Sequence, residues 1–130
     1  MKTELGRVTI LVKDCDEAFE FYEKNLGCKK FFDLVMDNGK RYLHLGFEPD
    51  LSAGIWLSEA EDDDELRRVG NQTGKKPVLV VYTDSIAEFY DRLVANGTTI
   101  TREPKSADEQ QSVQFTDLYG NQIVAVESNK

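Results

Sequence analysis

The chain carries one local pattern twice. "VTILVKD", Val8 to Asp14, is a β-branched apolar run that stops at an acidic residue, and "VLVVYTD", Val78 to Asp84, has the same form. Such runs read as strands. Helical spacing follows each: Ala18, Phe19, Tyr22 and Leu26 come after Asp14, which is placed as an N-cap with Glu17 three residues on, and Gly27 closes the helix. Ile86, Phe89, Tyr90, Leu93 and Val94 come after Asp84 and run into Asn96-Gly97. At an offset of 70 residues Asp14 pairs with Asp84, Phe19 with Phe89 and Gly27 with Gly97. The same strand, cap, helix and glycine in one order at one offset imply an internal duplication.

Beyond each helix the pattern is β. Strands are expected over Lys29 to Met36, Arg41 to Phe47 and Ala53 to Ser58, with Asn38-Gly39 turning the first two, and over Thr99 to Glu103, Ser112 to Thr116 and Gln122 to Glu127. In "FTDLYGNQIVAVES", Asp117 to Asn121 is turn chemistry centred on Gly120. The expected fold is therefore α+β: two βαβββ modules in tandem, residues 5–58 and 77–128, within one domain of residues 1–130. The stretch 59–76 between them is dense in charge, then polar and glycine-rich, and reads as a solvated connector. Its acidic cluster, Glu59, Glu61, Asp62, Asp63, Asp64 and Glu65, would otherwise hold a divalent cation or a basic partner, but the alternating acidic spacing of an EF-hand is missing.

Composition narrows the partners. At 130 residues with 40% hydrophobic content the chain has enough apolar mass for a core. A formal net charge of −8 argues against gripping nucleic acid or an anionic membrane, which both need a clustered positive surface. The apolar run near the N-terminus is broken by Lys13 and Asp14, so a signal peptide or membrane span is not expected and the cytoplasm is the default location. Cys15 and Cys28 stand outside any CxxC or His-rich context and are expected to be structural.

With these elements placed, "VTILVKDCDEAFEFYEKNLGCKKFF" resembles the opening of the vicinal oxygen chelate superfamily, which comprises glyoxalases, bleomycin resistance proteins and extradiol dioxygenases. "FTDLYGNQIVAVES" is similar to that family's closing hairpin, with Asp117, Gly120 and Asn121 fitting and Leu118 and Tyr119 replacing a Pro-Asp pair. The resemblance covers essentially the whole chain. It implies paired modules whose curved mixed sheets form a cup, and, for a chain of this size, a homodimer. Function is left wide open by it, because the same fold hosts lyases, isomerases, dioxygenases and drug-binding proteins.

In metal-dependent relatives, His, Glu or Gln from the first and last strands of each module hold one divalent ion as a Lewis acid. The matching positions here are Arg7, Trp56, Val78 and Val124. A cation and three apolar side chains hold no such ion. Shifting the register by one residue brings in no better ligands, and only a shift of three on the last strand reaches a carboxylate, Glu127. The expectation is thus no metal and no cofactor, with a divalent metal as the alternative. His44, the only histidine, is expected to line the pocket or to bond within its strand.

Strand alternation then gives the lining of the cup: Arg7, Thr9 and Leu11, Gly54, Trp56 and Ser58, Val78, Val80 and Tyr82, and Gln122, Val124 and Val126. This suits a mostly apolar or aromatic small molecule, with Trp56 or Tyr82 stacking on a ring and Arg7 meeting an anionic substituent. An inner face packed shut around Trp56 is the competing picture. The expected ligand-binding residues are Arg7, Thr9, His44, Trp56, Val78, Val80, Tyr82 and Val124, with no catalytic residue. Nucleophile and phosphate-loop motifs are absent, and Glu48, Asp50, Glu103 and Glu127 read as solvated strand-end carboxylates. A small-molecule binder for resistance, sequestration or sensing is expected; a metal-dependent lyase or dioxygenase and a protein-interaction module are the alternatives.

Overall fold

Asp14 starts the first helix as its sequence predicts: its side chain accepts a hydrogen bond from the Glu17 backbone N–H at 2.9 Å. Gly27 ends that helix in the left-handed region at φ 75°, a conformation that costs a glycine least. In the computed structural model, which describes residues 1–105 and 110–128, the chain divides into two compact units, Met1–Val69 and Gly70–Lys130.

The first unit holds β1 (Arg7–Val12), α1 (Cys15–Leu26), β2 (Lys29–Val35), β3 (Arg41–Phe47), β4 (Asp50–Glu59) and a short α2 (Asp63–Arg68). Its sheet runs β1-β4-β3-β2, with β1 parallel to β4 and the other neighbours antiparallel. Ile10, Val12, Leu43, Leu45, Ile55 and Leu57 are buried on one face, as are Cys15, Ala18, Phe21, Tyr22 and Leu26 of α1. Strand alternation leaves Thr9, His44 and Trp56 on the opposite, open face.

The second unit repeats the plan with β5 (Leu79–Thr83), α3 (Ile86–Ala95), β6 (Ile100–Arg102), β7 (Ser112–Thr116) and β8 (Gln122–Glu127), in the order β5-β8-β7-β6. Its core joins Ile86, Phe89 and Leu93 of α3 to Val113, Phe115, Ile123 and Ala125 of the sheet. The Phe89 and Phe115 rings lie 5.7 Å apart.

Two expectations need correction. The cap of α3 is Ser85, whose hydroxyl accepts from the Glu88 N–H at 3.2 Å, so Asp84 is not the counterpart of Asp14. In the front half of the helices the repeat is thus one residue longer than 70: buried Ala18 and Tyr22 match buried Phe89 and Leu93, whereas Phe19 is only half-buried. The glycines still match at 70 because α3 is shorter than α1. Burial on the sheet, rather than aromatic identity, sets the true alignment.

The connector is also more structured than its charge density predicts. Glu59 belongs to β4, and Asp62 caps α2 by accepting from the Glu65 N–H at 2.8 Å. Asp64 pairs with Arg67 and Arg68, so this acidic run is spent on capping and on i, i+3 and i, i+4 pairs. No residue of α2 is buried. Among the described residues, no helix is long and apolar enough to cross a membrane.

Candidate functional site

The open face of the first sheet is built by register. Thr9 lies opposite Trp56, Trp56 opposite His44, and His44 opposite Phe32, which makes one row across β1, β4, β3 and β2. Below it Arg7 lies opposite Gly54, and Gly54 opposite Gly46. Above it Leu11 faces Ser58, and Tyr42 faces Leu34. A β-bulge between Lys30 and Phe32 turns the strand at Phe31.

The middle row is an aromatic floor. Tyr42 stacks on Trp56 with centroids 5.7 Å apart and planes 21° from parallel, His44 meets Trp56 edge-on at 5.9 Å, and Phe32 meets His44 at 5.5 Å. Trp56 is half-buried rather than sealed in the core. The glycine row beside it lacks side chains, and the Arg7 guanidinium lies 4.6 Å from the Phe31 ring centroid on the far strand. Those glycines are obligatory for a second reason: a Cβ on Gly54 would run into the Leu45 carbonyl, and one on Gly46 into the Leu51 backbone.

Arg7 is held in place by its Nη1, which donates to the carbonyls of Gly6 and Ser52. Its Nε, together with the indole Nε1 of Trp56, is buried and without a hydrogen-bond partner. Burial, and secondarily the charge of Arg7, holds the His44 imidazole below its ordinary pKa of 6.5, so it is neutral at neutral pH.

On the second sheet Val80 lies opposite Val124, and Val124 opposite Gln114, the counterparts of Thr9, Trp56 and His44. Val78 sits just before β5, its N–H bonded to the Gln122 carbonyl. Tyr82, opposite Val126, is 72% exposed, and Val80 is 55% exposed. Tyr82 also borders a surface hollow of about 400 Å³ with Thr83, Asp84, Gln110 and Ser128. The side chains of Thr101 and Gln114 both donate to Gln122 Oε1, at 2.9 and 3.1 Å.

The eight residues expected at the site thus fall into two sets. Arg7, Thr9, His44 and Trp56 share the open face of the first unit, and Val78, Val80, Tyr82 and Val124 belong to the second. Sequence reasoning missed Phe31, Phe32 and Tyr42. Alternation from His44 across the β2–β3 hairpin would have found Phe32 and Tyr42, but the bulge that places Phe31 leaves no sequence signature.

A divalent metal does not suit these residues. Arg7, Trp56, Val78 and Val124 offer no lone pair for one, and among the described residues no group of three or more His, Cys, Asp or Glu is arranged to hold an ion. Glu127, the one carboxylate within a shift of the last strand, is engaged with α3: its Oε1 accepts from the Ile86 N–H at 3.0 Å. It is not the solvated strand-end residue that its position predicted.

The turn that identifies the fold is itself structural. Asp117 Oδ1 accepts from the backbone N–H groups of Tyr119, Gly120 and Asn121, each at 2.9 Å, and its Oδ2 from Asn121 Nδ2 at 2.9 Å. Asn121 Oδ1 in turn accepts from the Gln72 N–H at 3.1 Å. Gly120 has φ 114°, open to glycine alone at little cost.

Comparison with known proteins agrees with this architecture. The profile of the Glyoxalase/Bleomycin resistance protein/Dioxygenase superfamily matches residues 4–125. An uncharacterized protein of Shewanella frigidimarina is 29% identical over 126 residues, 93% of this chain and 90% of that protein. UcmS2 superimposes with a TM-score of 0.83 at 24% identity, covering 98% of this chain and all of the other. TnmS3, an antibiotic binding protein from Streptomyces sp. CB03234, superimposes with a TM-score of 0.77 at 20% identity, covering 98% of each chain. With its two βαβββ units and a profile match over nearly its whole length, the chain belongs to the Glyoxalase/Bleomycin resistance protein/Dioxygenase superfamily.

Proposed function

We propose that this protein binds a small, mostly apolar or aromatic molecule without a metal, in a resistance, sequestration or sensing role. The observation that carries the reading is the aromatic floor of Trp56, Tyr42, His44 and Phe32 on an open sheet face. Flat side chains with accessible ring faces stack on flat ligands, and burying them against one releases water from both. Arg7 and Thr9 at one edge supply polar anchors. Support also comes from TnmS3, whose shared fold serves antibiotic binding, and from a donor set that suits no divalent ion.

Elemental analysis of purified protein, paired with a panel of aromatic compounds read by the fluorescence of Trp56, the sole tryptophan, tests this. The expected result is less than stoichiometric metal and saturable quenching by at least one compound. One tightly held metal ion per chain would favour a lyase or dioxygenase instead, and would overturn the reading.

The exposure of Tyr82 and Val80 favours a homodimer as the working form, since apolar strand residues left this open are ordinarily covered. Sedimentation equilibrium is expected to give twice the chain mass; a monomer at micromolar concentration would remove this element.

A further inference from the structure

We propose that the open face of the first sheet selects an aromatic ligand bearing an anionic oxygen, an aromatic carboxylate or phenolate, received by the indole N–H of Trp56 and the Nε–H of Arg7. This rests on the small-molecule reading above and names its ligand class.

Buried donors without acceptors are rare in folded proteins, and each costs the desolvation of its N–H group. Among the side chains of the described residues two occur, Arg7 Nε and Trp56 Nε1, and both residues belong to the same open face. Neither is a loose side chain. Trp56 is clamped between Tyr42 and His44, and Arg7 is fixed by the Gly6 and Ser52 carbonyls and by the Phe31 ring. A donor held rigidly in place pays little entropy when an acceptor arrives.

The charge pattern agrees. Along the three rows the charged side chains are Arg7 and Lys29, which lies opposite Gly46 at the far end of the Arg7 row, both cations, and neutral His44 adds no third. Lys40, over the Tyr42 ring at 5.6 Å, is already paired with Glu61. The net charge of −8 acts mostly from elsewhere on the surface, and at physiological salt it is screened beyond about 8 Å. An anionic oxygen therefore meets two local cations, Arg7 and Lys29, and two unmatched donors, and its ring meets an aromatic floor.

The test compares 2-naphthoate with its neutral counterpart 2-naphthalenemethanol by isothermal titration calorimetry. The wild-type protein is expected to bind the carboxylate about ten-fold or more tightly, the scale of a hydrogen bond to a charged group. Trp56→Phe, which keeps a ring and removes the N–H, and Arg7→Gln are each expected to erase most of that preference, read as the ratio of the two affinities within each variant. Equal affinities in the wild-type protein, or a preference untouched by both substitutions, would overturn the anion selectivity and leave small-molecule binding standing. If neither compound binds, the ligand class proposed here falls, and the fluorescence panel above decides small-molecule binding by itself. The wild-type comparison needs no variant, so it decides the matter even if a variant fails to fold.

Discussion

Glu127 accepts a hydrogen bond from the Ile86 backbone N–H at 3.0 Å, and Glu59 does the same for the Cys15 N–H at 3.2 Å. Each is the final residue of the last strand of its unit, and each caps the first turn of that unit's helix. The duplication therefore extends to a strand-to-helix clasp that holds sheet and helix together. Glu127→Gln is expected to cost about 1 kcal/mol, from loss of a charge at a helix N-terminus and weakening of its hydrogen bond. Urea denaturation would measure it, with ligand affinity unchanged; a loss of binding without loss of stability would instead make Glu127 a site residue.

Asp117 is 4% exposed and serves four donors. Asp117→Ala leaves three backbone N–H groups and the Asn121 amide without this acceptor, and is expected to destabilise the fold by about 3 kcal/mol or more. Guanidinium unfolding curves give the value. A change below about 1 kcal/mol would mean that water replaces the carboxylate.

His44, held below pKa 6.5 by burial and by Arg7, is protonated less readily folded than unfolded. Its neutral form thus contributes stability that is complete above pH 6.5 and lost as the pH falls through the folded pKa. Because the chain has one histidine, an NMR titration of its ring protons reads this group alone. The inflection is expected below 6.5 and should move upward in Arg7→Gln; a midpoint at or above 6.5 would contradict the buried, Arg7-facing placement.

Burial pushes the thiols of Cys15 and Cys28 up to about 12. Both are fully enclosed, and neither forms a disulfide. A thiol reagent at mildly alkaline pH is expected to leave the native protein unlabelled and to label both cysteines once denaturant is added. Fast labelling of either thiol in the native state would expose an opening motion near α1.

The sequence by itself determined the duplicated βαβββ plan, the limits of α1 and the Asp117 turn, because these depend on local chemistry: apolar periodicity, a capping carboxylate, a glycine that takes positive φ. It also determined that Arg7, Trp56, Val78 and Val124 make a poor metal site, since that follows from side-chain type alone. The tertiary structure decided what depends on contacts between distant strands. Ser85 rather than Asp84 caps α3 because packing of Phe89 and Leu93 against the sheet sets the helix start. Glu127 became a helix clasp because β8 ends beside α3. The aromatic floor arose from the pairing of Phe32, His44 and Trp56, three residues on three strands, and burial of the Arg7 Nε and Trp56 Nε1 donors without acceptors likewise depends on contacts between strands.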